Sequence, residues 1–187
     1  MTTYYGLLSK IMTEISQVLS SVDEDKLGKI IDKILNSKRI FVLGVGRSGL
    51  VMKGFAMRLM HLGLNVFVVG ESTTPAIGKG DLLIIGSGSG RTPSVVTNVK
   101  KAWEYGSAII SITSNKHSPI VEYSDFTTFL LAPTPKVKTG NFNFSIQPMG
   151  SLFEQSLLIF ADLIVLMLMD KLCMTSDKMF KNHANLE

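Results

Sequence analysis

Ser87, Ser89 and Thr92 alternate with Gly86, Gly88 and Gly90 directly after the apolar run Leu82 to Ile85. An apolar run that breaks into small residues reads as a buried strand ending in a loop. Thr92-Pro93 then reads as an N-cap followed by proline at the first helical position. Backbone N–H groups unscreened by side chains, three short hydroxyls and a helix N-terminus are the parts needed to hold a phosphate. Taken alone, the loop is equally readable as an ordinary Gly/Ser turn. A second loop, Gly44-Val45-Gly46-Arg47-Ser48-Gly49, also follows an apolar run. In it Arg47 could grip a phosphate with two parallel hydrogen bonds, or stand as a solvated loop arginine. Ser48 could cap the next helix, which is compatible with touching a ligand.

The elements that must position these residues follow from hydrophobic spacing. Two helices come first, over residues 4–20 and after Asp23, each with an apolar stripe at helical period. Strands are expected at 39–43, 66–69, 82–85, 108–112 and 126–131. Helices are expected at about 48–61, 93–105, 118–123, 151–172 and 176–183, with a loop over 132–150. Strands alternating with helices imply one parallel sheet covered on both faces, a three-layer α-β-α sandwich. Five strands in this arrangement suggest the flavodoxin-like order 2-1-3-4-5. In that order the loops after strands one and three flank the topological switch point, where open α/β sheets bind ligands. Two glycine- and hydroxyl-bearing loops meeting at one crevice argue for a ligand more strongly than either alone.

Length and composition bound the rest. At 187 residues, 45% hydrophobic and 18% charged, the chain is globular and of single-domain size. The expected division is 1–37 as an N-terminal helical extension, 38–172 as the α/β core and 173–187 as a C-terminal helix and tail. A net charge of +4 with scattered basic residues suits an anionic small molecule; no Lys/Arg stripe points to nucleic acid. The one cysteine, Cys173, excludes an intrachain disulfide framework and reads as a buried or inert thiol. The start Met1-Thr2-Thr3-Tyr4 does not read as a secretion signal, and the longest apolar run, Leu157 to Met169, is short for a bilayer and contains Asp162. A cytoplasmic protein without a membrane partner is expected.

The 44–49 loop also fits the G-x-G-x-x-G pattern, and Glu71 stands near the distance at which a dinucleotide site carries its acid. The two helices before the first strand and the second phosphate-type loop disfavour that reading.

The two loops together resemble the sugar isomerase (SIS) family of phosphosugar-binding domains. Further segments narrow the resemblance to the 6-phospho-3-hexuloisomerases. They are Phe55-Ala-Met-Arg-Leu-Met-His61-Leu-Gly63, Val69-Gly-Glu71-Ser-Thr-Thr-Pro75, Pro148-Met-Gly-Ser-Leu-Phe-Glu154 and a terminal His183. The likeness spans about residues 38–187. It implies an SIS fold and a small tetramer whose active sites draw on adjacent subunits. It also implies conversion of arabino-3-hexulose 6-phosphate to fructose 6-phosphate without metal or organic cofactor. That reaction belongs to the ribulose monophosphate pathway, downstream of 3-hexulose-6-phosphate synthase.

Moving a ketone from C3 to C2 needs a base for the C2 proton and a cation or acid near the oxygens. Glu154 is the best-placed base by sequence, although Ser151-Leu-Phe-Glu154 is also a capping box. His61 reads alone as a histidine favoured at a helix C-terminus, and His183 as a tail residue; the resemblance makes both acid/base candidates. Gly46, Arg47, Ser48, Glu71 and Ser87-Gly88-Ser89-Gly90-Arg91-Thr92 form the expected substrate-binding set. The three histidines show no metal-ligand spacing. Asp162 is expected to meet a polar group in a buried or intersubunit setting. The apolar excess of the 151–172 helix points to a homo-oligomer. Related isomerases of sedoheptulose 7-phosphate or arabinose 5-phosphate, and a non-catalytic sugar-phosphate sensor, remain the competing functions.

Overall fold

The computed structural model describes residues 3–134, 136 and 145–186. The apolar runs form strands β1 (Ile40–Gly44), β2 (Val66–Val68), β3 (Leu82–Gly86), β4 (Ala108–Thr113) and β5 (Phe126–Phe129). They make one parallel sheet of order β2-β1-β3-β4-β5, the order that the alternation of strands and helices suggests. Helices α1 (Tyr4–Leu19), α2 (Glu24–Leu35), α3 (Gly46–His61), α4 (Pro93–Glu104), α5 (Ser151–Lys171) and α6 (Ser176–Phe180) surround it, with a 3-10 turn at Pro119–Tyr123.

Alternation along the strands builds two cores. Ile40, Val42, Leu82, Ile84, Ile110 and Ile112 pack beneath α1, α2, α3 and α5. Phe41, Leu43, Leu83, Ile85 and Ile109 pack on the other face against Val95, Val99 and Ala102 of α4. The helices after β1 and β3 therefore depart to opposite faces. In the register of β1 on β3, Gly44 lies opposite Gly86, so their loops leave the sheet side by side. At the far end of the sheet, Arg39 donates to both carboxylate oxygens of buried Asp81 at 3.0 and 2.6 Å. The Gly78 N–H donates to Asp81 at 2.9 Å.

Several local expectations are corrected. Helix α3 starts at Gly46, not Ser48, because Gly44 and Gly49 approach so closely that a Cβ on Gly49 would lie 2.8 Å from the Gly44 oxygen. The loop is thus the first helical turn, the N-cap is Val45, and Ser48 caps nothing. No capping box opens α5: its N-cap is Gly150, and Ser151 is already helical. Strand β5 ends at Phe129 and α6 at Phe180, both earlier than expected. Cys173 is exposed, not buried, in the left-handed turn after α5 (φ 48°). Asp162 is exposed in this chain, which removes the buried one of its two expected settings. Part of the expected 132–150 loop, residue 135 and residues 137–144, lies outside the described residues. By length and composition α5 could cross a membrane, yet half of that stretch is buried in this fold.

Candidate active site

The Gly86–Thr92 loop is held by its carbonyls, which leaves N–H groups to face outward. The Gly88 carbonyl accepts from Thr113 Oγ1, Ser114 Oγ and Ser114 N–H at 3.1, 2.7 and 3.1 Å, and the Ser89 carbonyl from Asn115 Nδ2 at 3.0 Å. Ser87 Oγ accepts from the Gly90 N–H and Ser89 Oγ from the Arg91 N–H, which tightens the turn. Gly90 has φ 59°, and a Cβ there would strike Ser118. Among the described residues, the Gly88 and Ser89 N–H groups donate to no protein acceptor. Thr92 is the N-cap of α4 by position, but its hydroxyl makes no capping bond and stays available. Two free amides, free hydroxyls and a helix N-terminus make an anion cradle.

That cradle opens into a cleft of about 250 Å³ lined also by Val45, Ser48, Met149, Gly150, Phe153 and Glu154. Lys136 and Thr134 lie on its wall. Helix α5 brings Glu154 in its first turn, and the N-terminus of α3 brings Arg47. Arg47 Nη1 lies 3.1 Å from Glu154 Oε2 and donates to Ser151 Oγ at 2.9 Å. Glu154 Oε2 is buried, and the contact with Arg47 is an ion pair without hydrogen-bond alignment. Thr134 Oγ1 is likewise buried with no partner among the described residues. Two orphaned oxygens in one cleft wall are groups that a polyhydroxylated ligand could satisfy. The Glu154 side chain is 17% exposed and that of Arg47 60%, so the base candidate is shielded while its cation faces the opening.

His61 and His183 meet elsewhere. Their rings stack with centroids 5.3 Å apart, Phe180 stacks on His183, and the Asn182 amide donates to the His61 carbonyl at 2.9 Å. With Arg58, Asp162 and Met169 they line a second cleft of about 410 Å³. Burial pushes the His61 pKa down, and the Arg58 and His183 charges push it further. His61 is therefore the neutral imidazole near pH 7, able to give or take a proton. It closes the helix that Arg47 opens, so the two lie about 21 Å apart along the axis at 1.5 Å per residue. Within this chain the histidines and the cradle form separate clusters.

Of the remaining candidates, Gly46 adopts φ 63° in the turn that presents Arg47. Glu71 is half-exposed and pairs with Lys53 at 3.2 Å, outside the cleft lining. Arg91 is exposed and donates to the His117 carbonyl at 3.5 Å. Sequence reasoning missed Thr134, Lys136 and Phe153. The proline-rich stretch holding the first two carried no motif, and Phe153 read as part of an apolar helix.

The chain matches the SIS domain model over residues 33–159. It is 42% identical to a 3-hexulose-6-phosphate isomerase of Bacillus subtilis, over 100% of this chain and 99% of that protein. It is 44% identical to one of Methanocaldococcus jannaschii, over 87% and 85%. A Methanococcus jannaschii crystal structure, from which a molecular function of 3-hexulose-6-phosphate isomerase was inferred, superposes with a TM-score of 0.84. That pair shares 41% identity, over 96% of this chain and 98% of the other.

Proposed function

Because the chain belongs to the SIS domain family and, within it, to the 3-hexulose-6-phosphate isomerases, we propose that it interconverts D-arabino-3-hexulose 6-phosphate and D-fructose 6-phosphate. The observation that carries this reading is one cleft with an anion cradle on one side and a shielded carboxylate, Glu154, on the other. The Gly88 and Ser89 N–H groups, with the Ser48, Ser87, Ser89 and Thr92 hydroxyls, bind the phosphate. Gly90 and Gly46 shape the two turns. Glu154 takes the C2 proton and leaves a 2,3-enediolate. A proton is then delivered to C3, the hydroxyl proton passes from O2 to O3, and the carbonyl has moved from C3 to C2. Arg47 stabilises the enediolate oxygens. The step balances without an external oxidant or reductant.

His61 and His183 act as acid/base partners from a neighbouring subunit. Three features support this. They lie too far from the cradle of their own chain. The cleft is smaller than the roughly 300–1,000 Å³ usual for ligand sites, as expected where another chain completes it. Helix α5 also leaves Leu158, Leu163 and Leu166 largely exposed. The assembly is a homotetramer of single-domain chains spanning 1–187. It works in the cytoplasm, in the ribulose monophosphate pathway after 3-hexulose-6-phosphate synthase.

The direct test mixes purified protein with 3-hexulose 6-phosphate and measures fructose 6-phosphate by a coupled assay. Turnover at rates typical of a metabolic enzyme supports the reading. Binding without turnover indicates a sensor, and turnover only of sedoheptulose 7-phosphate or arabinose 5-phosphate reassigns the substrate.

A further inference from the structure

Glu14 is where helix α1 reaches the segment that enters the cleft. Its Oε2 accepts from Ser145 Oγ at 2.6 Å and from Gln147 Nε2 at 3.1 Å, and its Oε1 from the Ile146 N–H at 2.9 Å. Ser145 Oγ accepts in turn from the Gln147 N–H at 3.0 Å. Gln147 is buried. Three bonds thus fasten three successive residues to one carboxylate 131 or more positions away in sequence, and a fourth ties two of those residues to each other.

The next three residues are Pro148, Met149 and Gly150, the turn that forms part of the cleft wall and starts α5. Met149 has φ 57°, left-handed backbone that a non-glycine residue adopts at a cost. Such a conformation persists only where its surroundings over-determine it. Downstream the turn is fixed by Ser151 N–H to the Pro148 carbonyl at 3.1 Å and Glu154 N–H to the Gly150 carbonyl at 3.0 Å. Upstream it is fixed by the Glu14 carboxylate. Burial raises the Glu14 pKa, and the bonds from Ser145, Ile146 and Gln147 together outweigh that and lower it, so the acceptor is the ionised form.

We propose that Glu14 is a positioning residue for the isomerisation. By clamping Ser145–Gln147 it holds Met149 in its left-handed conformation at the cleft and sets the first turn of α5. The direction of the Glu154 carboxylate and the seat of Arg47 on Ser151 follow from that turn. Helix α1 is thereby part of the catalytic apparatus without touching substrate. The proposal rests on the reading of the cleft as an isomerase site.

The test compares Glu14→Ala with Val18→Ala. Val18 is a fully buried residue of the same helix with no part in the clamp. Turnover, thermal unfolding and backbone hydrogen exchange are measured on each. For Glu14→Ala, kcat should fall roughly tenfold or more while KM stays within about threefold, because the phosphate loop hangs on β3 and β4. Amides of 146–154 should exchange roughly tenfold faster, and those of 86–92 unchanged. Val18→Ala should lower the unfolding temperature and keep kcat. Retained kcat in Glu14→Ala, or equal losses of kcat for equal losses of stability in both variants, overturns the proposal. Should Glu14→Ala not fold, Gln147→Ala removes one donor from the other side and carries the same comparison. A parent protein without turnover, but with the exchange difference, removes the reaction and leaves the clamp. A parent with turnover and no exchange difference removes the clamp alone.

Discussion

Arg47 and Glu154 stand 3.1 Å apart, each in the first turn of a different helix, and Ser151 receives the same guanidinium at 2.9 Å. The N-termini of α3 and α5 are thereby tied together beside the Gly86–Thr92 loop. A carboxylate paired this way is held in place beside a cation, yet its poor alignment with Arg47 leaves Oε2 ready for another partner. The pairing also sets the guanidinium next to any anion that forms when Glu154 takes a proton.

The proposed phosphate-binding role of the Gly86–Thr92 loop yields the first prediction. Ser87→Ala and Thr92→Ala should each raise KM for a sugar phosphate by roughly 10- to 150-fold, the equivalent of about 1.5–3 kcal/mol for a hydrogen bond to a charged group. Thr92 should cost no helix stability, since its hydroxyl caps nothing. Steady-state kinetics with a thermal melt checks both. Unchanged KM in both variants would move the phosphate elsewhere.

The loop and the sheet were legible in sequence because their signals are local. Runs such as Leu82 to Ile85 read as buried strands, and Thr92-Pro93 marks the start of α4 from two adjacent residues. Glu154 read equally as a base candidate or as half of a capping box, and the structure removes only the box. Helix α5 begins at Ser151, as its apolar pattern predicts, so that serine is already helical and receives Arg47 instead of capping. The Glu14 clamp, the His61–His183 stack and the Lys53–Glu71 pair join residues remote in sequence, and no spacing rule reports them. Cys173 was expected to be buried or inert, and its exposure was not legible because apolar neighbours in sequence do not determine which residues meet solvent.

The Arg39–Asp81 pair makes a prediction about stability and acid. The Arg39 hydrogen bonds hold the Asp81 pKa below its ordinary value against the opposing effect of burial, helped by the Gly78 N–H. A depressed folded pKa means that the stabilisation is complete above the unfolded value of about 4 and is lost as pH falls through the folded one. Asp81→Asn should cost about 2–4 kcal/mol at neutral pH, the low side of a broken buried pair because Arg39 keeps some solvent. The parent should therefore lose stability more steeply below about pH 4 than the variant does. Denaturant unfolding at pH 7, 5 and 3 measures this; parallel losses would contradict it.

Sharing of sites between subunits can be read by complementation. Glu154→Gln and His183→Ala should each be nearly inactive as pure assemblies. After the two are mixed through dissociation and reassembly, activity should return to roughly a quarter of parental, from sites that combine an intact cradle with an intact neighbour's histidine. Light scattering on the same samples should give a tetramer. No recovery from well-mixed tetramers, or a parental monomer at working concentration, would contradict intersubunit sites.

The role of Glu154 is tested most directly by following fructose 6-phosphate in deuterium oxide by NMR, with the parent and with Glu154→Gln, while sugar phosphate binding is measured on the same preparations. In this direction the enediolate forms by loss of the C3 proton, so the parent should wash solvent deuterium into C3. Glu154→Gln keeps the shape and removes the basicity; it should bind sugar phosphate, with exchange and kcat slower by roughly two to four decades. A folded Glu154→Gln protein that binds the ligand and exchanges C3 at near-parental rate would show that another group is the base, and would contradict the assignment of proton transfer to the carboxylate beside Arg47.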